Sequence, residues 1–211
     1  MKVDLKGIKN IIFDLGGVIL DLDFNASVKA FRKLGLDKNV FDGKLAYSDE
    51  IFYRLQTGQA TPEEFREKVR EILNNPEASD LQIDNAWCAM LKGIPVSRIE
   101  TIRKLSINYK VFLFSNTNII HIDRLEKEFS EKNGFSFTSV FHGVFYSQDI
   151  NDAKPAVSSF QKVIKLSGVN PEETLFVDDI QENLDGADKA GLKTFWLKKG
   201  LELDEVFKEA I

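Results

Sequence analysis

Asn10-Ile11-Ile12-Phe13-Asp14-Leu15-Gly16-Gly17 is the stretch on which the reading of this chain turns. The apolar run through Phe13 has the length and β-branched character of a buried strand. Asp14 stops it, and two glycines follow at once. A carboxylate at the C-terminal end of a buried parallel strand costs desolvation energy unless a cation or hydrogen-bond donors meet it. That end is also where open α/β sheets place their ligands. Asp14 is therefore the first candidate functional residue.

Four further segments carry the same signature: Lys110–Phe114, Val144–Ser147, Thr174–Val177 and Lys193–Leu197. Helical stretches lie between most of them, and that alternation predicts right-handed crossovers and a parallel sheet. Helix starts are marked at Asn170-Pro171-Glu172-Glu173 and at Thr61-Pro62-Glu63-Glu64, where Glu64 completes a capping box. Nearly 100 residues separate the first strand from the second, far more than a crossover needs. The excess is helical in pattern over Phe24–Leu34, Asp49–Leu55, Pro62–Leu73 and Ile83–Leu91. The reading is an α/β, Rossmann-like core formed by residues 1–21 and 95–211, with an α-helical cap inserted over 22–94. The insertion leaves the sheet at the edge that carries Asp14, which suits a lid.

The bulk properties narrow the function classes. A chain of 211 residues with 17 Phe can bury a full core without a disulfide or structural metal. The lone Cys88 fits a reducing compartment, and the N-terminus lacks a long apolar signal region, so a cytoplasmic protein is expected. A net charge of −5 argues against nucleic-acid binding. No apolar run approaches the roughly 20 residues that span a bilayer. A monomer or weak homodimer is expected.

Four strand ends or following loops carry polar residues in sequence order: Asp14, then Ser115-Asn116-Thr117-Asn118, then Asp152-Ala153-Lys154-Pro155, then Asp178-Asp179 with Asn183 beyond. Each alone has a structural reading as a cap or a turn. Two adjacent carboxylates at a buried strand end repel one another unless a cation sits between them. This ordered set resembles the four motifs of the haloacid dehalogenase-like hydrolases, and the resemblance spans nearly the whole chain. The strings Phe13-Asp14-Leu15-Gly16-Gly17-Val18 and Ser115-Asn116-Thr117-Asn118 are similar to the capped branch that contains α-glucose-1-phosphate phosphatases.

The resemblance implies a phosphatase that acts on a small phosphorylated metabolite such as a sugar phosphate. Asp14 would be the nucleophile that forms an aspartyl-phosphate. Mg²⁺ would be held by Asp14, the Gly16 carbonyl and Asp179, with Asp178 assisting. Lys154 would neutralise phosphoryl charge and orient Asp14. The Ser115 hydroxyl and the N–H groups of Asn116 and Gly17 would take the equatorial oxygens. Asn183 would orient the metal's water ligands or Lys154.

The chain departs from the family pattern at Gly16, where related phosphatases carry an acid–base Asp. A self-sufficient leaving group, an alternative acid at Asp21 or Asp23, or binding without turnover would each accommodate this. Asp21 and Asp23 also have a plain reading, as caps of the first cap helix. Two other enzyme readings are weaker. A 2-haloacid dehalogenase has no use for the Asp178-Asp179 pair, and a phosphomutase depends most on the missing acid. A non-catalytic phospho-ligand-binding module has only Gly16 in its favour. His121 and His142 read as packing or surface residues, and Trp87, Cys88 and Met90 as cap core. Tyr47, Tyr53, Arg54 and Gln56 are the polar cap residues from which specificity would come.

Overall fold

The computed structural model describes residues 3–37 and 49–211; Tyr47 lies outside them. Five parallel strands build the main sheet: β1 (Asn10–Phe13), β4 (Lys110–Ser115), β5 (Gly143–Tyr146), β6 (Thr174–Asp178) and β7 (Lys193–Trp196), in the order β5-β4-β1-β6-β7. The chain runs outward from β1 to β5, then crosses back to β6 on the other side of β1. Such a switch point opens a crevice at the strands' C-terminal ends.

Alternation along the strands decides which helices cover which face. Ile11 and Phe13 of β1 join Val111, Leu113, Leu175 and Val177 on one face. That face packs under α5 (Val96–Leu105), α6 (Ile119–Asn133) and α10 (Leu203–Val206). Ile12 points the other way with Phe112, Phe114 and Phe176, against α8 (Val157–Ser167) and α9 (Gln181–Lys189). A parallel sheet buried on both faces is the expected outcome of near-continuous apolar strands.

A second group of helices has its own core. It comprises α1 (Phe24–Lys33), α2 (Glu50–Gln56), α3 (Pro62–Leu73) and α4 (Asp80–Cys88). Phe31, Leu55, Phe65, Val69, Ile83 and Trp87 are buried among one another. The Thr61–Glu64 capping box is formed at the start of α3. A short antiparallel ribbon, β2 (Asp21–Leu22) with β3 (Leu91–Gly93), carries the chain out of the sheet and back. Between β5 and α8 lies the short α7 (Ser147–Ile150).

Three local readings need correction. The helix expected over Ile83–Leu91 starts earlier, at Asp80, because Ser79 and Gln82 form a capping box. It also ends earlier, and Leu91 pairs across the β2–β3 ribbon instead. Asn170 caps only a three-residue 3-10 turn, because Thr174 begins β6 immediately. The third strand sits one residue earlier than expected, since Ser147 already opens α7.

Phe65 is wholly buried and touches the rings of Phe52 and Trp87, at 5.6 and 5.4 Å between centroids. Phe65→Ala is expected to cost about 3–5 kcal/mol, as for other large core truncations. Hydrogen exchange is expected to show the loss of protection concentrated in α1–α4 rather than in the sheet.

Candidate active site

Three strand ends and one loop converge. Asp14 follows β1 directly and extends the ladder, its N–H donating to the Val177 carbonyl at 2.9 Å. Ser115 ends β4, Asp178 ends β6, and Lys154 reaches in from the loop between α7 and α8. The Lys154 ammonium donates to Asp14 Oδ1 at 2.6 Å, to Asp178 Oδ2 at 2.8 Å and to the Phe114 carbonyl at 3.1 Å. Its three hydrogens are thereby assigned. All three charged side chains are buried. The rings of Phe114 and Phe176 flank the ammonium at 5.2 and 5.1 Å.

The backbone of Lys154 is fixed as firmly as its tip. The Asn116 side chain donates to the Lys154 carbonyl at 2.8 Å and accepts from its N–H at 2.9 Å. Asn116 therefore ties the loop after β4 to the loop that presents the lysine.

Asp178 and Asp179 have different roles despite their adjacency. Asp178 is wholly buried and accepts from Lys154, from the Ile180 N–H at 2.8 Å and from Asn183 Nδ2 at 3.1 Å on each oxygen. Asn183 thus acts on Lys154 through Asp178. Asp179 Oδ1 is buried with no hydrogen-bond partner. The Asp179 carbonyl accepts from the indole N–H of Trp196 at 3.0 Å.

One oxygen from each of Asp14, Asp178 and Asp179 lies within 4.8 Å of the others. Hard oxygen donors with one buried atom unsatisfied fit a divalent cation such as Mg²⁺. Gly17 makes the cluster possible: its φ is +81°, and a Cβ there would overlap the Asp179 carboxylate.

The Gly17 N–H, which the sequence reading aims at a phosphoryl oxygen, is already engaged within the chain. It is spent on the Leu20 carbonyl at 2.9 Å, inside the turn that follows β1. Asp21 and Asp23 are also engaged elsewhere. Asp21 accepts from Arg98 at 2.8 Å, and Arg98 is held in turn by Glu202. Asp23 caps α1, accepting from the Asn25 N–H at 3.1 Å. Neither lines the cavity above Asp14. Leu22 crowds the space beside Gly16: its Cδ1 lies 2.7 Å from where a Cβ there would stand.

That cavity measures about 480 Å³ and is roofed by the second helix group. Asp14, Gly16, Ser115, Asn116, Lys154 and Asn183 form its floor, and Phe24, Phe52, Tyr53, Gln56, Trp87 and Met90 line it from above. Trp87 and Met90, which read as cap core, are buried and line the cavity as well. Arg54 faces away, toward the Gln59 carbonyl and Glu64. His121 also lines the cavity, a role its sequence surroundings do not signal. Burial pushes its pKa down to about 4, against the opposing pull of the Trp87 carbonyl. It is a neutral ring stacked on Trp87, at 4.6 Å between centroids. His142 is outside the cavity and accepts from the Val111 N–H at 3.1 Å.

Charge balance explains the titration of the floor. Burial pushes Asp14 up to about 7; Lys154 opposes this, and the carboxylates of Asp178 and Asp179 add to it. Burial also raises Asp179, with Asp178 contributing. Burial works against the Lys154 ammonium, yet Asp14 and Asp178 outweigh it and hold its pKa above the ordinary value. Three carboxylates thus face one cation, and Asp14 is the one whose charge is disfavoured.

Comparisons with known proteins agree with this geometry. The family profile for haloacid dehalogenase-like hydrolases matches residues 8–191. The chain belongs to that family, and within it is a phosphomonoester hydrolase. It is 33% identical over 196 residues to a D-ribitol-5-phosphate phosphatase from Bacteroides thetaiotaomicron, covering 92% of this chain and 94% of the relative. A glyceraldehyde 3-phosphate phosphatase from Pyrococcus furiosus is 26% identical over 218 residues, covering 97% of this chain and 88% of the relative. A crystal structure of a haloacid dehalogenase-family enzyme from Bacteroides thetaiotaomicron, a magnesium complex, superposes with a TM-score of 0.88 at 35% identity. It covers 96% of this chain and 99% of that one. Among the described residues no helix is long and apolar enough to cross a membrane.

The raised pKa of Asp14 gives metal binding a definite pH dependence. A cation must displace the proton, and near pH 6 Asp14 is mostly protonated in the metal-free protein. Mg²⁺ affinity measured by calorimetry is expected to rise roughly tenfold from pH 6 to pH 8, with proton release at the lower pH. A flat profile would show that Asp14 carries no proton for the metal to displace.

Proposed function

We propose that the protein is a Mg²⁺-dependent cytoplasmic phosphatase acting on a small phosphorylated sugar or polyol, through a phosphoryl group carried on Asp14. One observation supports this above the rest. Asp14 Oδ1 is held 2.6 Å from the Lys154 ammonium beside the unsatisfied Asp179 oxygen, at the base of a half-open cavity. The two relatives described above, phosphatases of D-ribitol 5-phosphate and glyceraldehyde 3-phosphate, support a substrate of that class. The same unsatisfied oxygen favours this reading over a dehalogenase, whose anionic substrate it would repel.

Asp14, Asp179 and the Gly16 carbonyl would hold Mg²⁺, with Asp178 kept to the support of Lys154 by its four hydrogen bonds. Bound there, the ion supplies the positive charge that lets a carboxylate and a phosphate dianion approach each other. Lys154 fixes one oxygen of Asp14 and leaves Oδ2 to attack phosphorus in line. The Asp14–phosphorus bond forms as the bond to the leaving oxygen breaks, and water then releases phosphate. The Ser115 hydroxyl and the Asn116 N–H meet the equatorial oxygens at the end of β4. The helix group above excludes bulk water and large substrates. Cys88 is uninvolved: burial pushes its thiol up to about 12, which leaves it inert.

Phosphate release from p-nitrophenyl phosphate is expected with Mg²⁺, to stop with EDTA, and to fall at least 10³-fold in Asp14→Asn. Activity without metal, or retained in Asp14→Asn, would contradict the proposal. Among the described residues lining the cavity, Asp14 is the sole carboxylic acid. Rates across a series of aryl phosphates are therefore expected to fall steeply as the leaving-group pKa rises. A flat series would mean that an acid reaches the leaving oxygen.

A further inference from the structure

The floor residues account for the phosphoryl group, and the opposite end of the cavity faces α2. We propose that Tyr53 and Gln56 are the specificity-determining residues, and that they read hydroxyl groups on a polyhydroxylated leaving group. The inference rests on the phosphatase reading and adds the part of the substrate that reading leaves open.

Elimination within the cavity leaves these two side chains and the Thr117 hydroxyl, and Thr117 belongs to the loop that carries Ser115, at the phosphoryl end. Asn118 is committed: its Oδ1 accepts from the His121 N–H at 3.1 Å and from Trp87 Nε1 at 3.3 Å, and its Nδ2 faces His121 Nδ1 at 3.2 Å. His121 is committed too, because its other nitrogen meets the Trp87 carbonyl at 3.3 Å. The Asn116 amide is spent on Lys154. The Tyr53 hydroxyl and the Gln56 amide have no hydrogen-bond partner among the described residues, and both line the cavity. They stand three residues apart on α2, on one face of the helix. An amide and a phenol together offer donors and acceptors, which suits hydroxyls that both give and take hydrogen bonds. Tyr53 is more than half exposed and Gln56 half-buried, and a hydrocarbon leaving group would offer neither of them a hydrogen-bond partner.

Their distance from the phosphate site is fixed by a buried anchor. The Ser147 hydroxyl donates to the Gln56 carbonyl at 2.6 Å and accepts from the Thr117 N–H at 3.0 Å. Thr117 lies on the loop that carries Ser115 and Asn116. Asn151 adds a hydrogen bond to the Thr57 carbonyl at 3.0 Å, and the Thr57 hydroxyl closes back on the Tyr53 carbonyl at 2.8 Å. Ser147 is thus a positioning residue. It sets the span between the phosphoryl floor and the two readers, and so the length of the molecule that fits.

The test compares D-ribitol 5-phosphate with n-pentyl phosphate, which has the same chain length and a primary leaving oxygen but no free hydroxyl. In the wild-type protein the ratio of kcat/KM is expected to favour the pentitol at least tenfold. Gln56→Leu and Tyr53→Phe are each expected to cut that ratio severalfold, and the double variant to bring it close to one. A wild-type ratio near one, or variants that keep the wild-type ratio, would overturn the inference. So would turnover of p-nitrophenyl phosphate with neither five-carbon substrate accepted. A wild-type protein that releases no phosphate from any of the three would instead remove the phosphatase reading beneath it.

Discussion

A single ammonium group holds the site together. Lys154 Nζ joins the ends of β1, β4 and β6 by bonding Asp14, the Phe114 carbonyl and Asp178 at once. None of these charges could stay buried alone, since removing one member of such a set leaves an uncompensated ion in a low-dielectric interior. The other supports lead to this atom. Asn183 and the Ile180 N–H steady Asp178, and Asn116 clamps the lysine's own peptide groups. The aromatic rings around the ammonium keep water from weakening those contacts.

The arrangement is deliberately short of positive charge. One ammonium faces three carboxylates, and burial with the neighbouring carboxylates pushes Asp14 up to about 7. The shortage is local, and Asp179 marks where it lies: its Oδ1 is buried, unbonded and close to Asp14. Gly17 contributes by lacking a side chain, because any Cβ would displace that carboxylate. Packing and charge together thus fit this cluster to a small divalent cation.

Much of this was legible in the sequence, for a physical reason. Buried strands announce themselves by composition, and a carboxylate at a strand end is costly enough to stand out. That is why Asp14, Asp178 and Asp179 were legible, whereas Lys154, in the loop between α7 and α8, reads alone as a turn and stood out only within the ordered motif set. What stayed hidden depends on non-local geometry. The commitment of the Gly17 N–H to Leu20 is set by a turn that no spacing rule specifies. The diversion of Asp21 to Arg98 joins residues 77 positions apart. The inward face of α2 is fixed by Ser147, 91 positions from Gln56 in sequence, so Tyr53, Arg54 and Gln56 could not be told apart from the helix alone. The β2–β3 ribbon is too short to leave a periodic pattern.

The central claim is that Asp14 and Asp179 share a cation while Asp14 takes the phosphoryl group. Crystals grown with Mg²⁺ and beryllium trifluoride, a mimic of a transferred phosphoryl group, test it directly. The account expects beryllium bonded to Asp14 Oδ2, and Mg²⁺ within about 2.1 Å of oxygens from Asp14 and Asp179. Beryllium on any other side chain, or Mg²⁺ bound away from Asp179, would contradict it.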